Sequence, residues 1–172
     1  MKRAVITGPE SSGKSSLSKY LSQYYNFPYV AEYAREYLSL HGPKYTAEEV
    51  EMMGVKQVAN NAEPISCGVI CDTDALTYCI WYEVAYGKRS EVLESALRDS
   101  LPHCYLLLSP DLPWVPDPLR EHPTQRQELF ELYLKRLQDM DVPFAIIEGT
   151  ETVDRQNLAV KKLTNMGFGP NL

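Results

Sequence analysis

The sequence predicts an α/β fold: a mainly parallel sheet of five strands flanked by helices, in one domain spanning residues 1–172. Three observations carry this. Short apolar runs alternate along the chain with segments of helical periodicity. Length and composition are those of a globular domain with a proper core, 172 residues of which 44% are hydrophobic and 23% charged. One long stretch, residues 109–123, is so rich in proline that it fits neither helix nor strand.

The elements follow in order. Residues 2–7 read as a short buried strand. Residues 14–25 read as a helix with Leu17, Tyr20, Leu21 and Tyr24 on one face. Residues 29–31 form a second strand that runs into a helix over 32–40, stopped by Gly42-Pro43. Thr46-Ala47-Glu48-Glu49 is a capping box opening a helix to about residue 61. A third strand covers 67–71, and helices follow over 75–86 and 90–99. Residues 103–108 are the cleanest buried strand. After the proline-rich loop come a helix over 124–140, a strand over 143–147 and a last helix over 152–166. Tyrosines at helical spacing (Tyr20 and Tyr24, Tyr33 and Tyr37, Tyr78 and Tyr82) read as packing.

Charge and composition exclude several function classes. The net charge is −6 with no long basic run, which argues against a nucleic-acid polymer as partner. No apolar run approaches membrane-spanning length, and the one at the start is too short for a signal peptide, so a cytoplasmic, membrane-independent protein is expected. The four cysteines, at 67, 71, 79 and 104, form no C-x-x-C pair, and His41, His103 and His122 stand apart. Zinc is therefore not expected, and Cys67 and Cys71 read as reduced core residues.

The chemistry starts at Gly8-Pro9-Glu10-Ser11-Ser12-Gly13-Lys14-Ser15-Ser16. It satisfies G-x-x-x-x-G-K-S/T between a strand and a helix, the context the motif requires. Glycines let the backbone wrap so that its N–H groups face an anion, and the helix adds its positive end. Lys14 then reaches the β- and γ-phosphates of ATP and Ser15 ligates Mg²⁺. The chain contains no N-K-x-D for reading guanine, and its third strand ends in Asp72-Thr73-Asp74 without the Asp-Glu of a remodelling ATPase. A small-molecule kinase, with an acceptor pocket beside the phosphates and an arginine-rich lid, fits the remaining segments.

Those segments each have two readings. Glu32 and Arg35 share a helix face; they serve a sugar hydroxyl and a phosphate, or form a surface ion pair. Asp72 faces the loop's metal, and Asp74 either accepts the acceptor's proton or caps the next helix. Trp114, on a loop stiffened by prolines, stacks on a flat ring or plugs the sheet edge. Arg120 and Arg126 close over phosphates or are solvated.

In order and spacing, the phosphate loop, Glu32-Tyr33-Ala34-Arg35-Glu36-Tyr37, Asp72-Thr73-Asp74-Ala75-Leu76-Thr77, Trp81, Pro110-Asp111-Leu112-Pro113-Trp114-Val115, Asp117 and Leu119-Arg120 resemble the kinase domain of NadR-type proteins, the ribosylnicotinamide kinases. The resemblance covers nearly the whole chain. It implies a P-loop NTPase fold of nucleoside-kinase type and phosphorylation of the 5′-hydroxyl of nicotinamide riboside by MgATP. It implies that residues 8–16 with Arg120 and Arg126 bind ATP, and that Ser15 and Asp72 hold Mg²⁺. Lys14, Glu32, Asp72, Asp74 and Arg120 would be catalytic. Glu32, Tyr33, Arg35, Asp74, Trp81, Asp111, Trp114 and Asp117 would bind the nucleoside, with the Trp114 ring against the nicotinamide. The alternatives are a kinase for another nucleoside or nucleoside monophosphate, and an ATP-gated binding protein with slow hydrolysis. Two departures stand out. Leu76-Thr77-Tyr78 replaces the family's Leu-Thr-Thr, and Asp117-Pro118-Leu119-Arg120 replaces Asp-Gly-Leu-Arg, which stiffens the lid. The sequence has no H-x-G-H adenylyltransferase motif, so NAD synthesis from the mononucleotide is not expected of it.

Overall fold

The computed structural model describes residues 1–64, 66–121 and 123–169; His122 lies outside the described residues. Its sheet has five strands, all parallel, in the order β2-β3-β1-β4-β5. They are β1 (Lys2–Thr7), β2 (Tyr29–Val30), β3 (Gly68–Asp72), β4 (Cys104–Leu108) and β5 (Phe144–Ile147). Seven helices connect and cover them: α1 (Lys14–Tyr25), α2 (Tyr33–His41), α3 (Ala47–Ala62), α4 (Ala75–Tyr86), α5 (Glu91–Asp99), α6 (Arg126–Gln138) and α7 (Thr152–Asn165).

The two faces of the sheet account for two core clusters. Along β1, Ala4 and Ile6 point to one side and Val5 to the other. The first side packs under α1 and α7 through Leu17, Leu21, Ala159 and Leu163. The second packs against helices from α2 to α6. Buried on both faces, β3 and β4 are continuous apolar runs rather than alternating ones. At the carboxyl end the chain leaves β1 between β3 and β4, where parallel sheets place their ligands.

Element ends differ from the sequence expectation by a residue or two. The third strand starts at Gly68, and Cys67 just before it is exposed rather than a core residue; Cys71, Cys79 and Cys104 are buried thiols. Pro143 stands outside β5 because it has no N–H to give the ladder, yet its carbonyl accepts from the Tyr105 N–H at 2.9 Å. Thr46 and Glu49 form the expected capping box of α3. Among the described residues no helix is long and apolar enough to cross a membrane.

Candidate active site

The phosphate loop owes its shape to two glycines. Gly8 has φ +133°, and a Cβ there would lie 2.7 Å from the Leu108 carbonyl oxygen, so only glycine lets the loop leave this close to β4. Gly13, at φ +86°, is the N-cap of α1 and turns the following N–H groups toward the loop. Lys14 Nζ donates to the carbonyls of Gly8 and Pro9, each at 2.9 Å, folding its charge back over the loop. From behind, buried Arg155 on α7 donates to the carbonyls of Ser12 and Gly149, both at 2.8 Å.

Carboxylates arrive from the neighbouring strands. Asp72 ends β3, buried. Its Oδ2 accepts from the Tyr29 hydroxyl at 3.1 Å, and its Oδ1 has no hydrogen-bond partner. Ser15 and Asp72 line one open cavity with Lys19, Tyr29 and Glu32. Among the described residues no group of three acidic, histidine or cysteine side chains would hold a metal by itself. Mg²⁺ needs only one or two protein oxygens when nucleotide phosphates complete its shell. An unpartnered, buried Asp72 oxygen, on a residue that lines one cavity with Ser15, fits such an ion. Glu32 stands at the N-cap position of α2. Burial raises its carboxyl above the usual range, and Lys14 pulls against that. Arg35 lies 3.5 Å from Glu32 and 3.1 Å from Asp117.

A second cavity of about 200 Å³ runs from the phosphate loop into an apolar compartment. Residues 8–16, Glu32 and Arg35 line its charged end. Tyr45, Ile80, Trp81 and Tyr133 line the far end, with Tyr45 edge-on to Trp81 at 4.8 Å. Thr77 sits between the two ends, where its hydroxyl accepts from Thr73 at 2.5 Å and from Tyr133 at 3.2 Å. Leu119, Arg120 and Glu121 contribute from the proline-rich loop.

That loop contacts both the phosphate loop and the residues Arg35 and Tyr45. The Ser11 hydroxyl donates to the Pro113 carbonyl and accepts from the Val115 N–H. Arg126 donates to the carbonyls of Leu112 at 2.8 Å and Ser11 at 3.3 Å. Arg120 donates to the Val115 carbonyl and approaches the Ser11 hydroxyl. The Glu121 N–H donates to the Glu10 carboxylate. On the far rim, Asp117 holds Arg35 and the Glu121 carboxylate accepts from the Tyr45 hydroxyl at 2.7 Å.

Residues 3–155 match the family AAA_28, an AAA domain. The chain belongs to this family. Aligned over 160 residues, the chain is 27% identical to the trifunctional NAD biosynthesis/regulator protein NadR of Escherichia coli strain K12, a match over 86% of this chain and 38% of that protein. Two solved NadR structures superpose over 99% of the chain. One, in complex with NR, does so at TM-score 0.76 and 21% identity over 53% of its length; the other, with NAD and AMP-PNP, at 0.77 and 19% over 50%. A thymidylate kinase from Ehrlichia chaffeensis matches at TM-score 0.68 and 13% identity, over 95% of this chain and 98% of its own. The resemblance to NadR-type proteins read from the motifs is thus borne out, and the fold is that of a P-loop kinase. The chain spans only 38% of the curated relative's length and about half of the two NadR structures'.

The AAA domain brings most of the expected residues together, but not all. Gly8, Glu10, Ser11, Ser12, Gly13, Lys14, Ser15, Ser16, Glu32, Arg35, Trp81 and Arg120 all line the cavity at the phosphate loop. Tyr33 faces the open cavity with Asp72 instead. Five expected residues, Asp74, Asp111, Trp114, Asp117 and Arg126, line neither cavity. Asp74 lines neither cavity; its carboxylate caps α4 by accepting from the Leu76 N–H at 3.1 Å and accepts from the Tyr105 hydroxyl at 2.5 Å. Asp111 accepts from the Ser109 hydroxyl and the Gly149 N–H, tying the loop after β4 to the one after β5. Trp114 lines neither cavity and packs against Arg120 and Arg126, with its ring centre 5.9 and 5.8 Å from the two guanidinium carbons. Its ring stands beside these two arginines rather than in the far compartment. Asp117 also stays outside the cavity linings and reaches them through Arg35.

Sequence reasoning passed over Tyr45, Tyr133 and Arg155, and quoted Thr77 without giving it a role. A tyrosine at helical spacing reads as core, so Tyr133 carried no signal. Arg155 lies in the first turn of α7, 143 residues from the Ser12 whose carbonyl it holds, and no local pattern shows that.

Proposed function

We propose that this chain is an ATP-dependent nucleoside kinase, transferring the γ-phosphoryl group to the 5′-hydroxyl of nicotinamide riboside to give nicotinamide mononucleotide. One observation carries the reading: a single cavity joins the phosphate loop to a compartment walled by Tyr45, Trp81 and Tyr133. Such a cavity suits a nucleoside whose ring lies among aromatics and whose primary hydroxyl points at the phosphates.

The residues divide the work. The N–H groups at the start of α1, with Lys14, hold the triphosphate once Lys14 leaves the Gly8 and Pro9 carbonyls. Ser15 and Asp72 would hold Mg²⁺, which neutralises phosphate charge. Glu32, near Lys14 and with its carboxyl raised by burial, orients the 5′-hydroxyl and accepts its proton. Arg120 and Arg126 turn from the Val115, Leu112 and Ser11 oxygens to the transferring group. The lid excludes water, so that ATP is not hydrolysed instead.

The test is ADP release with MgATP across a nucleoside panel, with product identified. Stimulation by nicotinamide riboside with the mononucleotide as product supports the reading. Stimulation by a different nucleoside or a monophosphate keeps the kinase and overturns the substrate. No stimulation by any acceptor leaves an ATP-gated binding protein. Trp81→Ala should raise the acceptor's KM about tenfold or more and leave that of ATP unchanged, since a lost ring contact is worth about 1–3 kcal/mol.

A further inference from the structure

Glu32 occupies a capping position without capping. It precedes the first turn of α2, where an acidic side chain ordinarily accepts from the next helical N–H groups. Its carboxylate makes no such bond. The orphan donors are satisfied from other elements. Gln57 on α3, with no exposed surface, accepts the Tyr33 N–H on Oε1 at 2.7 Å. The hydroxyl of fully buried Tyr78 on α4 accepts the Ala34 N–H at 3.2 Å and donates to the same Gln57 oxygen at 3.3 Å. Gln57 Nε2 donates to the Ala31 carbonyl at 3.1 Å, so one amide grips the backbone on both sides of Glu32. Its second Nε2 bond goes to Asn61 Oδ1 at 3.0 Å, and Asn61 Nδ2 donates to the Thr73 carbonyl at 3.1 Å. Thr73, at φ +81°, directly follows Asp72.

A fully buried amide with every donor and acceptor used is costly to build into a core. Here it does something a self-capped helix would not. With Tyr33 and Ala34 already served, the Glu32 carboxylate is left to face both cavities. We propose that Gln57 and Tyr78 are positioning residues that cap α2 from outside, holding the Glu32 carboxylate in the acceptor site and, through Asn61, fixing the Asp72 turn relative to it. The proposal rests on the kinase reading for its catalytic consequence and on geometry alone for the placement of Glu32.

Removing the outside cap should send Glu32 back to its own helix. In Gln57→Leu, and more mildly in Tyr78→Phe, its carboxylate would accept from α2 N–H groups at the positive helix end. That lowers its pKa. The charged groups that share its cavities are Lys14 and Lys19 on α1, Arg35 and Glu36 on α2, Glu63 after α3, Asp72 on β3, Glu10 in the phosphate loop, and Arg120 and Glu121 in the proline-rich loop, and none is altered by these variants. The experiment is NMR titration of the Glu32 carboxyl, assigned by its loss in Glu32→Gln, together with steady-state kinetics. The expected result is a Glu32 titration shifted to lower pH in Gln57→Leu, and kcat down about tenfold or more with the KM of ATP unchanged. A folded Gln57→Leu in which Glu32 titrates as in the parent protein overturns the proposal. If that variant does not fold, Tyr78→Phe decides in the same way. Should the parent protein phosphorylate no acceptor at all, the kinase reading falls, and the titration still settles the positioning.

Discussion

Asp72 and Asp74 are two residues apart and have opposite surroundings. Asp72 keeps a buried oxygen without a hydrogen-bond partner and lines a cavity with Ser15. Asp74 is turned into the core against Tyr105, and burial raises its pKa to about 6, only partly offset by the bonds from Tyr105 and Leu76. In the unfolded chain an aspartate titrates near about 3.9. The fold therefore favours the protonated form. The stability this gives is fully present below about pH 4 and is lost as pH rises through about 6. Asp74→Asn keeps an acceptor for Leu76 and removes the titration. Urea unfolding should show the variant gaining on the parent protein between pH 4 and 7. A difference that stays constant with pH would mean that Asp74 does not titrate in this window.

At the scale of elements, close approach decides more than propensity. Gly54 lies in the middle of α3, where alanine is favoured over glycine by about 1 kcal/mol. A Cβ there would come within 3.0 Å of Tyr78 Cβ and 2.3 Å of Leu93 Cδ2. The leucine end can swing away, but Tyr78 Cβ moves only if α4 moves. Overpacking costs about 1–3 kcal/mol. We expect Gly54→Ala to lose about 1 kcal/mol net, measured by chemical denaturation, and to push on Tyr78 and hence on the α2 cap. A gain in stability would show that α3 and α4 separate more easily than their contact implies. The same logic puts Gly68 under Phe27, whose ring carbon Cε2 would sit 2.3 Å from an added Cβ.

Across the whole molecule, the proline-rich loop ties distant parts of the site together. Its contacts with Ser11 and Glu10 reach the phosphate loop, and its Asp117 and Glu121 contacts reach Arg35 and Tyr45. Asp117 also accepts from the Leu119 N–H, and this bond, with Arg35 after it, keeps its carboxyl below the usual range. The Asp117 and Arg35 side chains are 25% and 40% exposed, so the ion pair alone is worth at most about 1 kcal/mol. Adding the bond to Leu119, of about 1 kcal/mol, makes a tenfold change in local opening of the loop the expected size. Asp117→Ala should thus raise amide hydrogen exchange over residues 113–121 about tenfold without ligands. Unchanged exchange would mean that the Ser11 and Tyr45 contacts hold the loop unaided.

Much of this was legible in the residues. Alternating runs gave the strands and helices nearly to their ends, because a parallel sheet buried on both faces writes itself as short apolar stretches. The phosphate loop was legible because glycine at fixed spacing answers a local backbone need, seen in Gly8 and Gly13. Glu32 and Arg35, read from their spacing on one helix face, and Trp81, implied by the family resemblance, line the cavity at the phosphate loop. What the sequence by itself determined is therefore local: the strand-loop-helix that holds an anion, the capping box of α3, and the carboxylates that follow strands. What only the tertiary structure decided is which side chains meet. It sent Asp74 to Tyr105 and Trp114 to the lid arginines, and it walled the cavity with Tyr45 and Tyr133. It also placed Gln57 against residues more than twenty positions away. The physical reason is range. Backbone geometry answers to neighbours in the chain, whereas the direction of a buried polar side chain is settled by whichever partner the packing brings within hydrogen-bond reach.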